Sequence, residues 1–359
     1  MTRCKAPVRV REPWTAGVSM PDRNLPEWTY TPGMQLFALD SRHGLGEHIA
    51  AVLGVPLAEH EERRFEDGEH KARPMVGVRG EDVYVIESLY SDSAQSVHDR
   101  LCRLLFFLGA VVEGGAARVT AVMPYLAYAR KDRQTKPRDP VTTRYMAQLI
   151  EAMGVDAVMA LDVHNLAAFQ NAFRCRAHAL DTRRLFARQL AERLGDEPVV
   201  VVSPDPGGVK RARLFLEMLE AICGRACGFA FMDKRRSAGR VTGDLLIGDV
   251  SGAHVLIVDD LISTGHTMLR AAVACRDQGA VSVRGLAAHG LFTGDAASVV
   301  ADRRIDGLMV TDTVPPFRLP DGPVSRRVEI VSSAPLFAEA IRRCHVNGSL
   351  VDLLEGPAA

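Results

Sequence analysis

The 359-residue chain has no apolar run long enough to cross a membrane, which takes about 20 residues of helix. Neither sign of charge is in excess: 44 Lys and Arg balance 44 Asp and Glu, for a formal net charge of zero. A dedicated nucleic-acid binder is usually basic overall, so that class is set aside with the membrane proteins, although local basic clusters remain open. Cysteine is sparse. The seven lie at 4, 102, 175, 223, 227, 275 and 344, an odd number at wide spacing that fits free thiols in a reducing, cytoplasmic compartment. Cys223 and Cys227 are spaced to share a helical face, but no second ligand pair stands at zinc-finger spacing, so buried thiols are the better reading. The N-terminus has basic residues without the apolar core of a secretory signal. Residues 1–32 mix Pro, Arg and isolated aromatics without a period and read as a poorly ordered extension. No internal repeat is strong enough to align.

What the chain does have is 47% hydrophobic residues, enough for sizeable cores, at a length that favours two α/β domains. Regular patterning starts near Met34. Short β-branched runs at 83–86, 119–122, 157–161, 199–202 and 255–258 alternate with amphipathic stretches such as 99–107, 142–153 and 182–194. That alternation predicts parallel sheets flanked by helices, with ligands at the carboxyl ends of the strands. The expected division is a first domain over 33–180, a second over 181–345 and a tail at 346–359.

The most informative segment is 255–267. Four apolar residues, Val255 to Val258, read as a strand buried on both faces. Asp259 and Asp260 follow, and then Ser263, Thr264, Gly265, His266 and Thr267 form a short loop that opens a helix near Met268. Free N–H groups at a helix start suit a phosphate, and Gly265 lets backbone approach it closely. Like charges keep the two carboxylates off that phosphate. They suit sugar hydroxyls, or a Mg²⁺ ion, lying beside it. A diol site next to a phosphate site points to ribose 5-phosphate.

Further constellations sit at other expected strand ends. Asp205, with Gly207 and Gly208, makes a tight turn after 199–202; its carboxylate suits Mg²⁺ or a helix N-cap. His164 follows the 157–161 strand, where a lone His is more often structural than a ligand. Asp233, Lys234, Arg235 and Arg236 precede small polar residues and are expected at the base of a mobile loop, suited to closing over a polyphosphate. Arg130, Lys131 and Arg133 form a second basic cluster.

In this order the segments resemble the ribose-phosphate diphosphokinase family, also called 5-phosphoribosyl 1-diphosphate synthetases. The resemblance spans about 34–345. It begins at Arg64-Phe65-Glu66-Asp67-Gly68-Glu69, passes Tyr128-Ala129-Arg130-Lys131-Asp132-Arg133 and Ser203-Pro204-Asp205-Pro206-Gly207-Gly208, and ends at Ala338-Glu339-Ala340-Ile341-Arg342-Arg343. It implies two type I phosphoribosyltransferase-like domains and a Mg²⁺-dependent transfer of the diphosphoryl group of ATP to the C1 hydroxyl of ribose 5-phosphate, releasing AMP. It further implies that Phe65, Asp67 and Glu69 hold adenine, and that Arg130 and Lys131 meet the nucleotide. His164 and Asp205 match the Mg²⁺ positions, Lys234 and Arg236 the catalytic cations. Asp259, Asp260 and the residues 263–267 match the ribose 5-phosphate positions. Relatives share active sites between subunits, so a homo-oligomer, hexameric or dimer-based, is implied.

Three departures stand out. Ser263 occupies a position where the family commonly has Asp, Lys131 one where Gln is usual, and His266 replaces a small residue. The 134–140 loop is short and carries Pro137 and Pro140, nearer to phosphate-independent relatives, so activity without added phosphate is expected. Two other readings compete. A type I phosphoribosyltransferase would share the 259–267 loop but lack the 233–236 and 65–69 segments. A catalytically weak or regulatory homologue would show damaged cations, whereas Lys234 and Arg236 are both present.

Overall fold

The computed structural model describes residues 33–39, 44–237 and 240–355, and over 234–244 the backbone alone. The extension at 1–32 lies outside the described residues. Fourteen strands are described: β1 (Met34–Ala38), β2 (His60–Arg64), β3 (His70–Pro74), β4 (Asp82–Ile86), β5 (Arg118–Met123), β6 (Ala157–Leu161), β7 (Arg176–Leu180), β8 (Val199–Ser203), β9 (Gly228–Ser237), β10 (Arg240–Ile247), β11 (His254–Ile262), β12 (Ser282–Gly290), β13 (Gly307–Thr311) and β14 (Val328–Val331).

They form two main sheets. The first has the order β1-β4-β5-β6-β7 and is parallel throughout. The second runs β10-β9-β8-β11-β12-β13-β14 and is parallel except for the β9–β10 hairpin. β4, β6 and β8 are buried at every position, as expected of β-branched runs covered by helices on both faces. β2 and β3 pair only with each other, as a hairpin that belongs to neither sheet but packs on the core of the first through Ala72 and His60.

The sheets are joined by side chains that leave one and end on the other. The Nε2 of His289, at the end of β12, bonds the Leu161 carbonyl of β6 at 3.0 Å. Ser88, beyond β4, donates to the Thr313 carbonyl at 2.6 Å. The helix Ala334–His345 belongs by sequence to the second half, yet Phe337, Ala338 and Ile341 pack into the core of the first sheet with Leu36 and Tyr84. His345 fixes its far end through a 2.7 Å contact with buried Asp82. Leu353 and Leu354, in the stretch read as a tail, lie against the same cluster.

Candidate active site

β11 sets the first part of the site, and it runs further than its apolar residues suggest. Asp259 and Asp260 lie inside the strand instead of in the loop after it, because β12 continues beside them: Asp259 is in register with Ala287 and Leu261 with His289. Backbone pairing with the neighbouring strand therefore extends β11 across two carboxylates. The turn follows at Ser263, Thr264 and Gly265, and the helix His266–Asp277 begins at once. Gly265 sits at φ 81°, and a Cβ there would lie 2.8 Å from Val299 Cγ1, so conformation and space both require glycine. The first N–H groups of this helix have no intrahelical acceptors, which is the basis of a phosphate cradle. The other loop residues are partly committed. Ser263 Oγ is 2.9 Å from Thr293 Oγ1, and His266 Nε2 is 3.0 Å from Asp295 Oδ2, both side chains being exposed. Thr264 and Thr267 are half-buried.

The two carboxylates have different surroundings. Asp260 is buried and accepts from His164 Nδ1 at 2.7 Å. Burial alone would raise its pKa, but the His164 hydrogen bond and the Arg211 charge outweigh it and hold the carboxyl below its usual range. Burial, and then the neighbouring Asp260 charge, push Asp259 well above that range. The Asp260 hydrogen bond in turn raises His164. Arg211 lies within 3.5 Å of Asp259 and 3.3 Å of Asp260, and donates to the His164 carbonyl at 3.1 Å. Two sheets thus meet at one charged cluster.

Arg130 joins it, lining the same cleft as His164, Asp260 and His289. Asp162, two residues before His164, has φ 39° and accepts from the Thr182 backbone at 2.9 Å. Burial and then the Asp181 charge raise its pKa to about 6.

Other expected residues are placed elsewhere or otherwise engaged. Lys131 is turned into its own loop, 2.5 Å from Asp139 Oδ2 and 2.8 Å from Thr135 Oγ1. Asp205 caps the short turn Pro206–Gly208, accepting from Gly208 N at 2.8 Å. Phe65, Asp67 and Glu69 form the tip of the β2–β3 hairpin, closed by Phe65 N to Glu69 O at 2.8 Å and Glu69 N to Asp67 Oδ1 at 3.1 Å. Asp67 and Glu69 are exposed. Lys234 and Arg236, expected on a mobile loop, have their backbone in β9, in register with Asp244 and Val241 of β10; their side chains lie outside the described residues. Cys223 ends a helix and Cys227 follows it, so the two share no helical face; both are free.

Sequence reading missed Arg211 and His289. Arg211 did leave a signal. With Lys210 it puts two cations in the first turn of the helix Val209–Cys223, where the helix dipole disfavours positive charge. Its partner carboxylates are 48 and 49 residues away, so pattern could not pair them. His289 offers no local cue: its acceptor is the backbone of another sheet.

A parallel sheet with a carboxylate pair near the end of one strand and a glycine-bent helix start after it is an arrangement suited to an enzyme that takes a phosphate beside a diol. Comparison with known proteins narrows the class. Residues 34–154 match the N-terminal domain of ribose phosphate pyrophosphokinase, 174–290 the phosphoribosyl transferase domain and 241–355 the phosphoribosyl synthetase-associated domain. A ribose-phosphate pyrophosphokinase of Caldanaerobacter subterraneus subsp. tengcongensis is 39% identical over 90% of this chain and 98% of its own length. One from Granulibacter bethesdensis is 36% identical over 90% and 100%. The crystal structure of phosphoribosylpyrophosphate synthetase from Mycobacterium smegmatis superposes with a TM-score of 0.77 at 30% identity, covering 88% of this chain and 100% of that one. The chain belongs to the ribose-phosphate pyrophosphokinase family, and it is an enzyme of that type.

Proposed function

We propose that the chain transfers the diphosphoryl group of ATP to the C1 hydroxyl of ribose 5-phosphate at the junction of its two halves, 33–180 and 181–345. The carrying observation is the cluster in which His164, at the end of one sheet, bonds Asp260, at the end of the other, at 2.7 Å. In this reading the N–H groups at the start of the helix His266–Asp277, with Ser263, Thr264, Gly265 and Thr267, hold the 5-phosphate. Asp259 and Asp260 accept the ribose hydroxyls. Arg130 serves the nucleotide, Lys131 can join it only on release from Asp139, and Lys234 and Arg236 offset charge that develops on the transferring group. Ser263 Oγ lies 2.9 Å from Thr293 Oγ1, and the presence of both Lys234 and Arg236 in the sequence supports an active enzyme over a regulatory homologue. Relatives that match across the whole fold disfavour a salvage phosphoribosyltransferase.

Mg²⁺ fits the donor set. A metal-binding His commonly gives its other ring nitrogen to a carboxylate, and Asp260 takes His164 Nδ1 in that way, with the half-exposed His164 side chain lining the cleft. Among the described residues no three His, Cys, Asp or Glu side chains converge as a cage, in keeping with an ion that retains waters and shares few protein ligands. His164 and Asp205 would hold it, and its chemistry would be to neutralise the polyphosphate. The exposed hairpin tip with Phe65, Asp67 and Glu69, whose described polar contacts stay within the hairpin, supports a homo-oligomer in which the tip serves a neighbouring subunit's adenine. Free thiols support a cytoplasmic location.

The test is to incubate the full chain with ATP, Mg²⁺ and ribose 5-phosphate and to quantify AMP and phosphoribosyl diphosphate. Equal amounts of both are expected. AMP without the diphosphate product, or neither, rules the assignment out.

A further inference from the structure

Arg211 presents one flat guanidinium to two parts of the molecule that sequence separates widely. Its Nη2 donates to the His164 carbonyl, in the loop after β6, at 3.1 Å. Its Nη1 faces Asp259 Oδ1 at 3.5 Å and Asp260 Oδ1 at 3.3 Å, on β11. The side chain is 21% exposed, so it lines the site without being free in water. It stands in the first turn of its helix, where the dipole opposes a cation; the local sequence therefore gives no reason for Arg at this point, and the long-range contacts do. Two carboxylates on consecutive residues, one of them buried, repel each other when both are ionised, and the Arg211 guanidinium within 3.5 Å of both offsets that repulsion.

We infer that Arg211 is a positioning residue: it clamps the His164 loop of the first half to the Asp259–Asp260 pair of the second, and so sets the carboxylates for ribose 5-phosphate. The inference rests on the ribose 5-phosphate reading of that pair. Arg suits the task where Lys does not. A planar fork holds two acceptors in separate directions at once, whereas an ammonium is a single point charge at the end of a flexible stem. Loss of the clamp leaves the carboxylates in place but unaimed, which weakens sugar binding more than nucleotide binding.

The experiment reads binding, not turnover. Full-length wild type, Arg211→Gln and Arg211→Lys are each loaded with Mg²⁺ and the inert analogue α,β-methylene-ATP. Each is then titrated calorimetrically with ribose 5-phosphate, and melting temperature and analogue affinity are measured in parallel. Both variants are expected to bind ribose 5-phosphate about 10- to 100-fold more weakly, the range seen when a partner that orients a site ligand is removed. Analogue affinity should stay near wild type, and melting temperature should fall in Arg211→Gln, which leaves the two carboxylates without their cation, but less in Arg211→Lys, which keeps the charge. Full affinity in the Lys variant would overturn the clamp, since charge alone would then suffice. Wild-type affinity in both would overturn it outright. Equal loss of both ligands together with a lowered melting temperature would make Arg211 a stability residue instead. Failure of the wild type itself to bind ribose 5-phosphate would strike at the underlying site reading, and the inference would fall with it.

Discussion

Gly265 shows how tightly single residues are constrained at the turn between β11 and the helix His266–Asp277. At φ 81° any L side chain is strained by about 1–2 kcal/mol, and the Cβ would also press Val299 at 2.8 Å. Gly265→Ala is therefore expected to lower the unfolding free energy by at least that amount and to raise the Michaelis constant for ribose 5-phosphate, because the helix start behind it shifts. Denaturant titration and steady-state kinetics check the two halves of that statement; unchanged values for both would remove the loop from the site. Asp259 gives a second test. Asn imitates a carboxylate poorly as an acceptor for two hydroxyls, and a charge-assisted hydrogen bond is worth about 1.5–3 kcal/mol, roughly 10- to 100-fold. Asp259→Asn should raise the Michaelis constant for ribose 5-phosphate by about that factor and the constant for ATP much less. Equal rises would assign Asp259 to a metal shared by both substrates. These residues could be read in the sequence because their chemistry is local: a glycine at a turn, a carboxylate pair directly after an apolar run. Arg211 could not, because its meaning lies in partners 47 or more residues distant.

At the level of elements, legibility followed burial. β4, β5, β6, β8 and the start of β11 are apolar, β-branched and covered on both faces, so composition alone marked them. The hairpins were harder. β2 reads His-Glu-Glu-Arg-Arg and β9 carries Asp233 to Arg236; a charged run resembles a loop unless the strand opposite is known, and only the register with β10 gives those cations a strand backbone. Pro137 and Pro140 restrict the backbone of the 134–140 loop, and its polar contacts add a second brace. The Asp139 carboxylate accepts from Lys131 Nζ, from Thr135 Oγ1 at 2.8 Å, and from the backbone N–H groups of Thr135 at 3.1 Å and Lys136 at 2.9 Å. The Lys131 hydrogen bond is the main reason this carboxyl sits far below its usual pKa. Donors that would otherwise attract an inorganic anion are thus engaged by the chain itself. The enzyme is expected to be active with no added phosphate and to gain less than about twofold on phosphate addition in a phosphate-free buffer. Activity that is absent at zero phosphate and rises sigmoidally would refute this, and would mean the loop opens to take the anion.

For the whole molecule, the junction between the sheets is what the sequence reveals least, since it is made of contacts such as Ser88 with Thr313 and His289 with Leu161. It also gives the fold a calculable response to acid. His289 is 3% exposed; its Nε2–H donates to the Leu161 carbonyl and its Nδ1 accepts from the Thr313 hydroxyl at 2.8 Å. Burial holds the ring neutral and lowers its pKa from 6.5 to about 4. The sign follows from which state binds the proton. Below pH 6.5 the unfolded chain protonates His289 while the folded protein refuses the proton, so unfolding is favoured as pH falls. The contribution is therefore complete above about pH 6.5, is lost progressively down to about pH 4, and changes little below that, where both states are protonated. Its full size is about 3 kcal/mol. His289→Gln keeps an N–H for the Leu161 carbonyl and removes the titration. The variant is expected to be less stable than wild type near neutral pH, through altered packing against Tyr125, whose ring centroid is 5.0 Å away. Its melting temperature should nevertheless fall less than that of wild type between about pH 7.5 and about pH 5, because other histidines titrate alike in both proteins and cancel in the comparison. Scanning calorimetry of the two at both pH values decides the matter: parallel falls would show that the His289 junction takes no part in the acid sensitivity of the fold.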